Sequence, residues 1–535
     1  MNTSRTLAMA ACASAIASLC LAQPPVKFTQ YVSAAAQTPG NVYATDLNND
    51  GITDVLQDTG LGSPGFTISY GQGNGYFRGA QTSPEPWSSG VGTSPLVTAD
   101  FNNDGKNDIA AISYGSAGNQ IAFYKGNPGF PFTSPKVSTI NLPSGWHFGS
   151  GGAAAGDFNR DGKVDIVAWA DNWDSGDEAS TTTALYVMEG DGTGGFGNPH
   201  RVFTGPAAST DFKVFVGDFD ADGTADIAAD PYTQDFSTGN TSSTTVHVLY
   251  GNGDFTFNDT TPFIQNSAAI AWISSGDLNS DGLSDLVVLS GGYGIDQKLI
   301  FLYGETSRTF KTYSLNVPQG STYILGASGA TSDRYFPHFA VGDFNGDGHM
   351  DLVSYATDNR YTTGYLYFLL GTSTLGQYTS QVISLGASQK VSSNAVAGLF
   401  GGSHIKPDVA LNLSENPGDP PYNSPSTIRE ATNTQSGAFG PCQYPRTGQG
   451  VNVCAAGTGS GTSRVFHASA NSFGNLRKIE LWVDGKKVAE QHHAWEHQAW
   501  FNYTHSFAAG THNASLIAAD VDNRLQKHKF SFTVQ

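Results

Sequence analysis

Six nine-residue segments of this chain share one arrangement of oxygen-bearing side chains. Aspartate or asparagine stands at positions 1, 3, 5 and 9, and glycine stands at position 6. Ca²⁺ takes six to eight oxygen ligands from carboxylates, amides and carbonyl groups, and glycine permits the positive φ that turns a loop around an ion. Each segment is named here by its first residue: Asp46 (DLNNDGITD), Asp100 (DFNNDGKND), Asp157 (DFNRDGKVD), Asp218 (DFDADGTAD), Asp277 (DLNSDGLSD) and Asp343 (DFNGDGHMD).

The alternative interpretation of these segments is a set of tight turns. Asp, Asn and Gly are common in Asx-type β-turns that bind no ion, and a single copy leaves both interpretations open. Six copies with the same polar register favour calcium. The sequence therefore predicts six calcium loops.

The spacing of the loops indicates a repeat. Successive first aspartates are 54, 57, 61, 59 and 66 residues apart, and a degraded seventh copy begins near Gly398. A period of this length is typical of repeat architectures. Each unit also contains four short β-rich runs separated by turn residues, with no sustained helical periodicity. Four-stranded sheets repeated in this way form β-propeller blades, so we predict an all-β chain with a seven-bladed β-propeller.

The motif also resembles a known family. The pattern GDFNxDGxxDL, with a GxGxF-like turn in GNGDFTF (251–257) and GDGTGGF (190–196), is similar to the FG-GAP or VCBS repeat. The likeness covers about residues 40–430. Such repeats build the seven-bladed propeller of integrin α subunits and of many bacterial secreted proteins, which is the fold that the resemblance implies here.

The resemblance also implies a ligand set. In the family the side chains at positions 1, 3, 5 and 9 and the carbonyl of position 7 bind calcium. The seventh copy has Leu399, Gly401 and Ser403 at the first three ligand positions, so we expect no ion there. The implied ligands of six Ca²⁺ are Asp46, Asn48, Asp50, Ile52, Asp54; Asp100, Asn102, Asp104, Lys106, Asp108; Asp157, Asn159, Asp161, Lys163, Asp165; Asp218, Asp220, Asp222, Thr224, Asp226; Asp277, Asn279, Asp281, Leu283, Asp285; and Asp343, Asn345, Asp347, His349, Asp351.

The pattern changes from about Val451 onward. About seven short strand-like runs and an Asp484-Gly485 hairpin signal predict a small β-sandwich. The runs KIELWVDGKKV and AAGTHNASLIAADVDN resemble bacterial immunoglobulin-like domains, which makes Trp482 a predicted core residue. The patch HHAWEHQAW, with His492, His493 and His497, is either a Zn²⁺ or Cu²⁺ site or an exposed strand. The exposed strand is favoured because adjacent strand residues point to opposite faces. On a strand His493 and His497 share one face while His492 points away, so the three cannot bind one ion together.

The first 22 residues are typical of a secretory signal. Arg5 precedes an apolar run from Leu7 to Leu21, and small residues precede the cleavage point. A lipoprotein anchor or a buried helix fits less well. We predict a signal peptide at 1–22, a propeller at 23–435, a linker at 436–450 and the immunoglobulin-like domain at 451–535. The signal predicts export to the medium or the cell surface. Because that environment is oxidising, Cys442 and Cys454 are predicted to form a disulfide.

Charge and motifs limit the function. The net charge is −19 with only 27 Lys and Arg residues, which argues against nucleic acid. Nineteen aspartates occupy the ligand positions, so bound calcium would offset much of the acidity. No G-x-S-x-G, H-E-x-x-H or phosphate loop is present. We predict a non-catalytic recognition or adhesion module, with a polysaccharide lyase or hydrolase as the alternative.

Topology predicts where a ligand binds. If the calcium loops join the first and second strands, the longer aromatic-bearing connections lie on the opposite face. Loops on a rigid scaffold commonly carry recognition, and aromatic faces beside Asp and Asn suit sugar rings. A surface protein is the other candidate ligand, and blade closure is the purely structural alternative for each residue. The candidate contact residues are Trp87, Trp146, Trp173, Asp174, Asp177, Tyr232, Tyr293 and Tyr361.

Overall fold

The structure is a computed structural model that describes most of residues 28–534. Every regular element in this part is a β-strand, which confirms the predicted all-β class. None of its elements is an apolar helix of membrane-spanning length. The description omits residues 37–41, 49–51, 59–64, 73–76, 84–86, 88–91, 115–118, 127–134, 173–180, 206–208, 236–239, 243–244, 265–269, 291–297, 318–322, 326–338, 346, 348, 359–362, 388–389, 399–407, 415–425, 434–451, 459–461 and 521–524. The predicted signal peptide, linker and seventh loop lie outside it.

Six antiparallel sheets follow one another along the chain, and in four of them the strands pair in sequential order. The strands of the six sheets, numbered along the chain, are Val42–Thr45 (β2), Asp54–Asp58 (β3), Phe66–Gly71 (β4), Phe77–Thr82 (β5); Gly92–Ala99 (β6), Asp108–Tyr114 (β7), Gln120–Tyr124 (β8), Lys136–Thr139 (β9); His147–Gly156 (β10), Asp165–Asp171 (β11), Thr183–Gly190 (β12), Phe196–Thr204 (β13); Ser209–Gly217 (β14), Asp226–Asp235 (β15), Asn240–Ser242 (β16), Thr245–Gly251 (β17), Phe257–Ile264 (β18); Ile270–Gly276 (β19), Asp285–Ser290 (β20), Lys298–Glu305 (β21), Thr309–Asn316 (β22); Tyr323–Leu325 (β23), Ala340–Gly342 (β24), Asp351–Asp358 (β25), Thr363–Gly371 (β26) and Tyr378–Ala387 (β27). In the fourth sheet β15 pairs with both β16 and β17, and in the sixth β25 pairs with both β23 and β24.

The seventh sheet combines the two ends of this region. Lys390–Gly398 (β28), Asp408–Ser414 (β29) and Ser426–Asn433 (β30) are completed by the first strand of the structure, Phe28–Ala36 (β1). β1 pairs antiparallel with β30, so the order is β1-β30-β29-β28. The sequence predicted the seventh unit but not this pairing between strands almost 400 residues apart. The pairing covers the edge that β30 would otherwise expose.

Apolar clusters join each sheet to the next. The cluster between the second and third sheets, for example, contains Ile112 and Phe123 from one and Ile166 and Tyr186 from the other, all at most 7% exposed. Equivalent clusters link every consecutive pair, and the last links the seventh sheet to the first through Val396, Ala410, Val42 and Val55. The seven sheets therefore contact one another in a closed cycle.

The C-terminal region forms an eighth antiparallel sheet with fewer and longer strands than predicted. Instead of about seven short strands, the described residues form five strands: Asn452–Thr458 (β31), Ser463–Val483 (β32), Lys486–Ser506 (β33), Gly510–Asp520 (β34) and Leu525–Val534 (β35). The order is β31-β32-β34-β35, and β33 pairs with β32. The predicted Asp484-Gly485 turn joins β32 to β33, and both residues have positive φ (49° and 78°), as a tight hairpin requires.

The long strand β32 folds back on itself. Phe466 lies 17 residues before Val483, a distance of about 55 Å along a straight strand. Its ring nevertheless lies 5.3 Å from that of Phe532 in β35, and the neighbouring Arg464 donates to the Thr533 carbonyl at 2.7 Å. The first half of β32 therefore packs across the sheet that its second half forms, which creates two layers around Phe466.

Trp482 is not in the core of this region, contrary to the prediction. It alternates with Leu481 and Val483, which are at most 4% exposed and form the core with Ile479. Adjacent strand residues face opposite sides, so Trp482 lies on the outer face, half-buried, and donates its Nε1–H to Glu480 at 2.8 Å.

Candidate metal centre

The six predicted loops occupy one recurring place in the fold. Each lies between the first and second strands of a sheet, and its position-9 aspartate begins the second strand. That aspartate pairs with the last residue of the first strand, as Gly156 does with Asp165. In the seventh sheet Gly398 pairs with Asp408, so Asp408, and not the aligned residue 407 of the sequence, begins the second strand.

The backbone of the loops has positive φ at two positions. Positions 4 and 6 both adopt positive φ in the four loops where both are described. In the Asp157 loop, for example, Arg160 has φ 59° and Gly162 has φ 80°. Glycine is needed at position 6 because that conformation disfavours a side chain, whereas position 4 tolerates Asn, Arg, Ala and Ser. The chain therefore has left-handed conformations at two positions within each of these loops.

The position-1 aspartate organises each loop through its two oxygens. In the Asp157 loop, Oδ1 accepts the N–H of Asp161 at 3.1 Å and Oδ2 accepts the N–H of Gly162 at 2.9 Å. The bond from position 5 recurs at 3.0–3.2 Å in the five loops where position 5 is described, and the bond from position 6 at 2.7–3.0 Å in four. These bonds fix the orientation of the position-1 carboxylate in each of these loops.

Carboxylates of one loop converge closely. Oxygen atoms of Asp218, Asp220 and Asp222 all lie within 4.8 Å of one another. Like charges at that distance repel unless a cation lies between them. Carboxylate oxygens that surround a loop interior are a donor set for a hard cation such as Ca²⁺. The residues present therefore fit the ion that the sequence predicts.

Position 9 has a second role that sequence reasoning missed. All six aspartates at this position are 0% exposed. Each accepts the position-2 N–H through Oδ2 at 2.8–3.1 Å. Through Oδ1, at 2.6–2.9 Å, each also accepts the N–H of a glycine within two residues of the end of the third strand. One side chain thus ties the loop to the third strand of its own sheet. Asp54, Asp108, Asp165, Asp226, Asp285 and Asp351 make this clamp.

Burial makes these acids unusually weak. Burial raises the pKa of Asp108 to about 8, that of Asp165 to about 7 and that of Asp226 to about 8. The pKa values of Asp285 and Asp351 are also raised, by burial and by the charges of the other aspartates in their loops. Because ionised carboxyl groups without a counter-ion are costly there, a divalent cation would offset an unfavourable charge that the loops otherwise carry.

The Asp218 loop is the most acidic, and a neighbouring sheet supplies positive charge to it. Arg308, in the turn between β21 and β22, donates from Nε to Asp220 at 2.6 Å and from Nη2 to Asp222 at 3.3 Å. Arg160 from the Asp157 loop also donates to the carbonyl of Asp222 at 3.1 Å. Two guanidinium groups therefore stabilise this loop, and a cation that binds there competes with them.

Adjacent loops contact each other, which places them on one face. Asn107 of the Asp100 loop donates to Thr45, just before the Asp46 loop, at 2.6 Å. Ser284 of the Asp277 loop donates its N–H to the carbonyl of Asp218 at 3.0 Å. The turn after β12 also reaches the preceding loop, where Gly194 donates to the carbonyl of Phe101 at 3.0 Å. The loops and the turns between third and fourth strands therefore share a face, as predicted.

The candidate ligand-contact residues are only partly within the described structure. Trp87 is 9% exposed and packs in the cluster between the first two sheets, so little of its ring is accessible. Trp146 is half-buried and packs edge-on against Tyr186 at 5.8 Å. The backbone of Tyr232 lies in β15, six residues beyond the Asp226 that begins this strand, at the end opposite the loop. Trp173, Asp174, Asp177, Tyr293 and Tyr361 lie outside the described residues.

Three other predicted features lie wholly or partly outside the description. Asp50 of the first loop lies outside the described residues. Cys442 of the predicted disulfide also lies outside them, and only the backbone of Cys454 is described, in β31. The backbone of the histidine patch is part of β33. The side chains of His492, His493 and His497 are not described.

A comparison with solved structures found matches at low sequence identity and low TM-score. The core factor of S. cerevisiae has a TM-score of 0.43 and 11% identity, over 78% of this chain and 62% of that chain. The α-L-arabinofuranosidase of Fusarium graminearum has a TM-score of 0.38 and 10% identity, over 63% and 92%. A lectin of Aleuria aurantia, solved with Fucα1-6GlcNAc, has a TM-score of 0.34 and 9% identity, over 68% and 98%.

A comparison with curated protein sequences found no match. Models of protein families match two stretches of this chain. The model of the FG-GAP-like repeat matches residues 100–168, which contain the Asp100 and Asp157 loops, and that of the FG-GAP repeat matches residues 337–369, which contain the Asp343 loop. The chain therefore carries FG-GAP repeats in both stretches.

Proposed function

We propose that this chain is an exported, calcium-binding, seven-bladed β-propeller that acts as an extracellular recognition or adhesion module for a glycan or a surface protein. The observation that carries the calcium proposal is the convergence of three carboxylates within 4.8 Å in the Asp218 loop. The Asp100, Asp157, Asp277 and Asp343 loops have the same position-5 hydrogen bonds, so the same convergence is expected there.

The closed cycle of seven sheets supports the propeller. A β-propeller arranges four-stranded sheets radially around an axis, so each sheet packs on two neighbours. The seven apolar clusters and the pairing of β1 with β30 are what closure of such a ring requires. A small β-sandwich of immunoglobulin type is proposed for the two-layered C-terminal sheet.

The distribution of perturbed acids supports a binding module rather than an enzyme. Catalytic acids and bases commonly have shifted pKa values. Nine aspartates of the loops have a raised pKa: Asp108, Asp157, Asp165, Asp218, Asp226, Asp281, Asp285, Asp347 and Asp351. Acids that hold a cation are not available for proton transfer, so we propose no catalytic activity.

Calcium binding is tested directly by equilibrium dialysis. We expect six Ca²⁺ per chain, with Kd values of roughly 10⁻⁴–10⁻³ M, as in other extracellular modules. At about 1 mM calcium each site then contributes about 0.4–1.4 kcal/mol to stability, so chelation lowers the melting temperature. Asp104→Ala is expected to remove one ion and leave five. Fewer than three ions in the unmodified protein would contradict the proposal.

Recognition is tested with a glycan array and with surface extracts, each in calcium and in chelator. We propose that the ligand binds opposite the loops, so the double variant Trp173→Ala/Tyr232→Ala is expected to lose most binding with a small change in melting temperature. Asp104→Ala is the matched control, since it alters the loop face alone. Unchanged binding by the double variant would place the ligand elsewhere, and turnover of a polysaccharide by the purified chain would overturn the non-enzyme proposal.

A further inference from the structure

A glutamine of the C-terminal sheet reaches into one calcium loop. Gln491, in β33, donates from Nε2 to Oδ2 of Asp277 at 2.7 Å. Asp277 is the position-1 residue of its loop, and the same Oδ2 accepts the N–H of Gly282. Gln491 pairs in register with Ile479 of β32, which lies in the core of the C-terminal sheet. The side chain therefore connects this core to the loop.

The contact is buried. Gln491 is 4% exposed and Asp277 is 7% exposed. β33 also contacts β14, the first strand of the sheet that precedes the Asp277 loop in the ring. Asp277 therefore accepts a hydrogen bond from a side chain of the C-terminal sheet, which lies outside the repeat to which its loop belongs.

Only one half of the Gln491 carboxamide is satisfied. Nε2 donates to Asp277, but Oε1 is buried and has no hydrogen-bond partner. A buried acceptor without a partner costs about 1–3 kcal/mol. The two ends of a carboxamide have nearly the same shape, so a half-turn exchanges them. Either end of the group can therefore stand 2.7 Å from the Asp277 oxygen.

A cation in the loop changes which end is favoured. Ca²⁺ binds carboxamide oxygens, and its positive charge repels the N–H groups of an amide. When an ion is bound to Asp277, the carboxamide of Gln491 is more stable with Oε1 facing the loop. The ion then takes the place of the hydrogen-bond partner that Oε1 lacks.

We propose that Gln491 supplies its carboxamide oxygen to the cation of the Asp277 loop, so that calcium fastens the C-terminal sheet to the ring of seven sheets. The proposal rests on calcium binding by the loops, as proposed above. It assigns one of the six sites a ligand from outside the repeat and a role in domain attachment. The Asp157 loop, whose position-1 aspartate accepts N–H groups of its own loop, serves as an internal control.

The test uses full-length protein and two variants of Gln491. Calcium titration by calorimetry is expected to show that Gln491→Ala weakens one site of six by about tenfold, which is within the range for partners of a bound metal. Gln491→Glu is expected to keep or strengthen that site, because a carboxylate also ligates calcium. Hydrogen exchange of the β33 segment 486–493 is expected to be slower in calcium than in chelator in the unmodified protein.

A thermodynamic cycle assigns the effect to one loop. Asp281→Ala disables the Asp277 loop, and Asp161→Ala disables the Asp157 loop. The effect of Gln491→Ala on calcium affinity is expected to vanish in the Asp281→Ala background and to persist in the Asp161→Ala background. Exchange of segment 486–493 is expected to lose its calcium dependence in the first background only.

The outcomes separate this proposal from the one on which it rests. Unmodified protein that binds no calcium removes both. Protein that binds six ions with equal affinity before and after Gln491→Ala overturns the ligand proposal alone. The ligand proposal is also overturned if Gln491→Ala accelerates the hydrogen exchange of segment 486–493 equally in calcium and in chelator. Gln491 would then act only as a hydrogen-bond donor to Asp277.

Discussion

Replacing Asp165 by alanine is expected to destabilise the protein by about 2–5 kcal/mol even when calcium is chelated. The substitution leaves the buried N–H groups of Phe158 and Gly190 without their acceptor, and each unsatisfied group costs about 1–3 kcal/mol. The measurement is urea denaturation in chelator at pH 6. Burial raises the pKa of Asp165 to about 7, so the carboxyl is mostly neutral at this pH, and removal of a buried charge compensates little of the loss.

Asp161→Ala is the matched control for this prediction. Asp161 belongs to the same loop, at position 5, but its side chain is 29% exposed and its partners are local. Its loss is expected to cost less than about 1 kcal/mol in chelator, as for most exposed groups, while in calcium both variants lose the ion. Equal costs for the two variants in chelator would mean that position 9 is a calcium ligand and no more.

The loops themselves could be predicted because their information is local. Nine consecutive residues specify the positive φ of positions 4 and 6 and the convergence of the aspartates, and the repeat of the motif removes the ambiguity of a single copy. The clamp at position 9 combines a local and a distant partner, since Gly190 lies 25 residues beyond Asp165. The signal for it is present in the sequence, as a glycine that follows the third strand of each unit, but only the pairing of strands shows why it is there.

The contacts between distant segments could not be predicted. The pairing of β1 with β30, the reach of Arg308 into the Asp218 loop and the reach of Gln491 into the Asp277 loop join residues 88 to about 400 positions apart. No local pattern distinguishes an arginine in a surface turn from one that neutralises a neighbouring sheet. The sequence contains one indirect signal for the pairing of β1 with β30, because β1 precedes the first four-stranded unit and does not belong to it.

The C-terminal region shows a different limit. Residues such as Asn471, Ser472 and Gly474 are common in turns, and they divide the sequence into runs that suggest short strands. The chain instead continues through them as one bent strand, because β32 pairs with β31 before the bend and with β34 after it. The prediction for Trp482 was wrong for a related reason, since hydrophobic size does not decide which face of an alternating strand a residue occupies.

The second large effect is expected from a buried ion pair in the ring of sheets. Lys213 in β14 and Asp230 in β15 are cross-strand partners whose charged groups lie 3.6 Å apart, with side chains 1% and 0% exposed. Removal of one member of a buried pair leaves the other charge in a medium that solvates it poorly, at a cost of about 3–5 kcal/mol. We therefore expect Lys213→Met to destabilise the protein by that amount in urea denaturation with calcium present.

Two further variants decide whether charge or shape is responsible. The double variant Lys213→Met/Asp230→Asn is expected to recover most of the loss, because it removes the remaining charge while it keeps the volume of both side chains.

Lys136→Met is the control with an exposed ion pair. It breaks a pair of similar length, 3.0 Å to Asp191, whose side chains are 46% and 50% exposed, and is expected to cost at most about 1 kcal/mol. Since Asp230 lies two residues before Tyr232 in β15, Lys213→Met is also expected to weaken ligand binding on the proposed recognition face, whereas Lys136→Met is not. A double variant as unstable as Lys213→Met would show that packing, and not charge, holds this part of the ring.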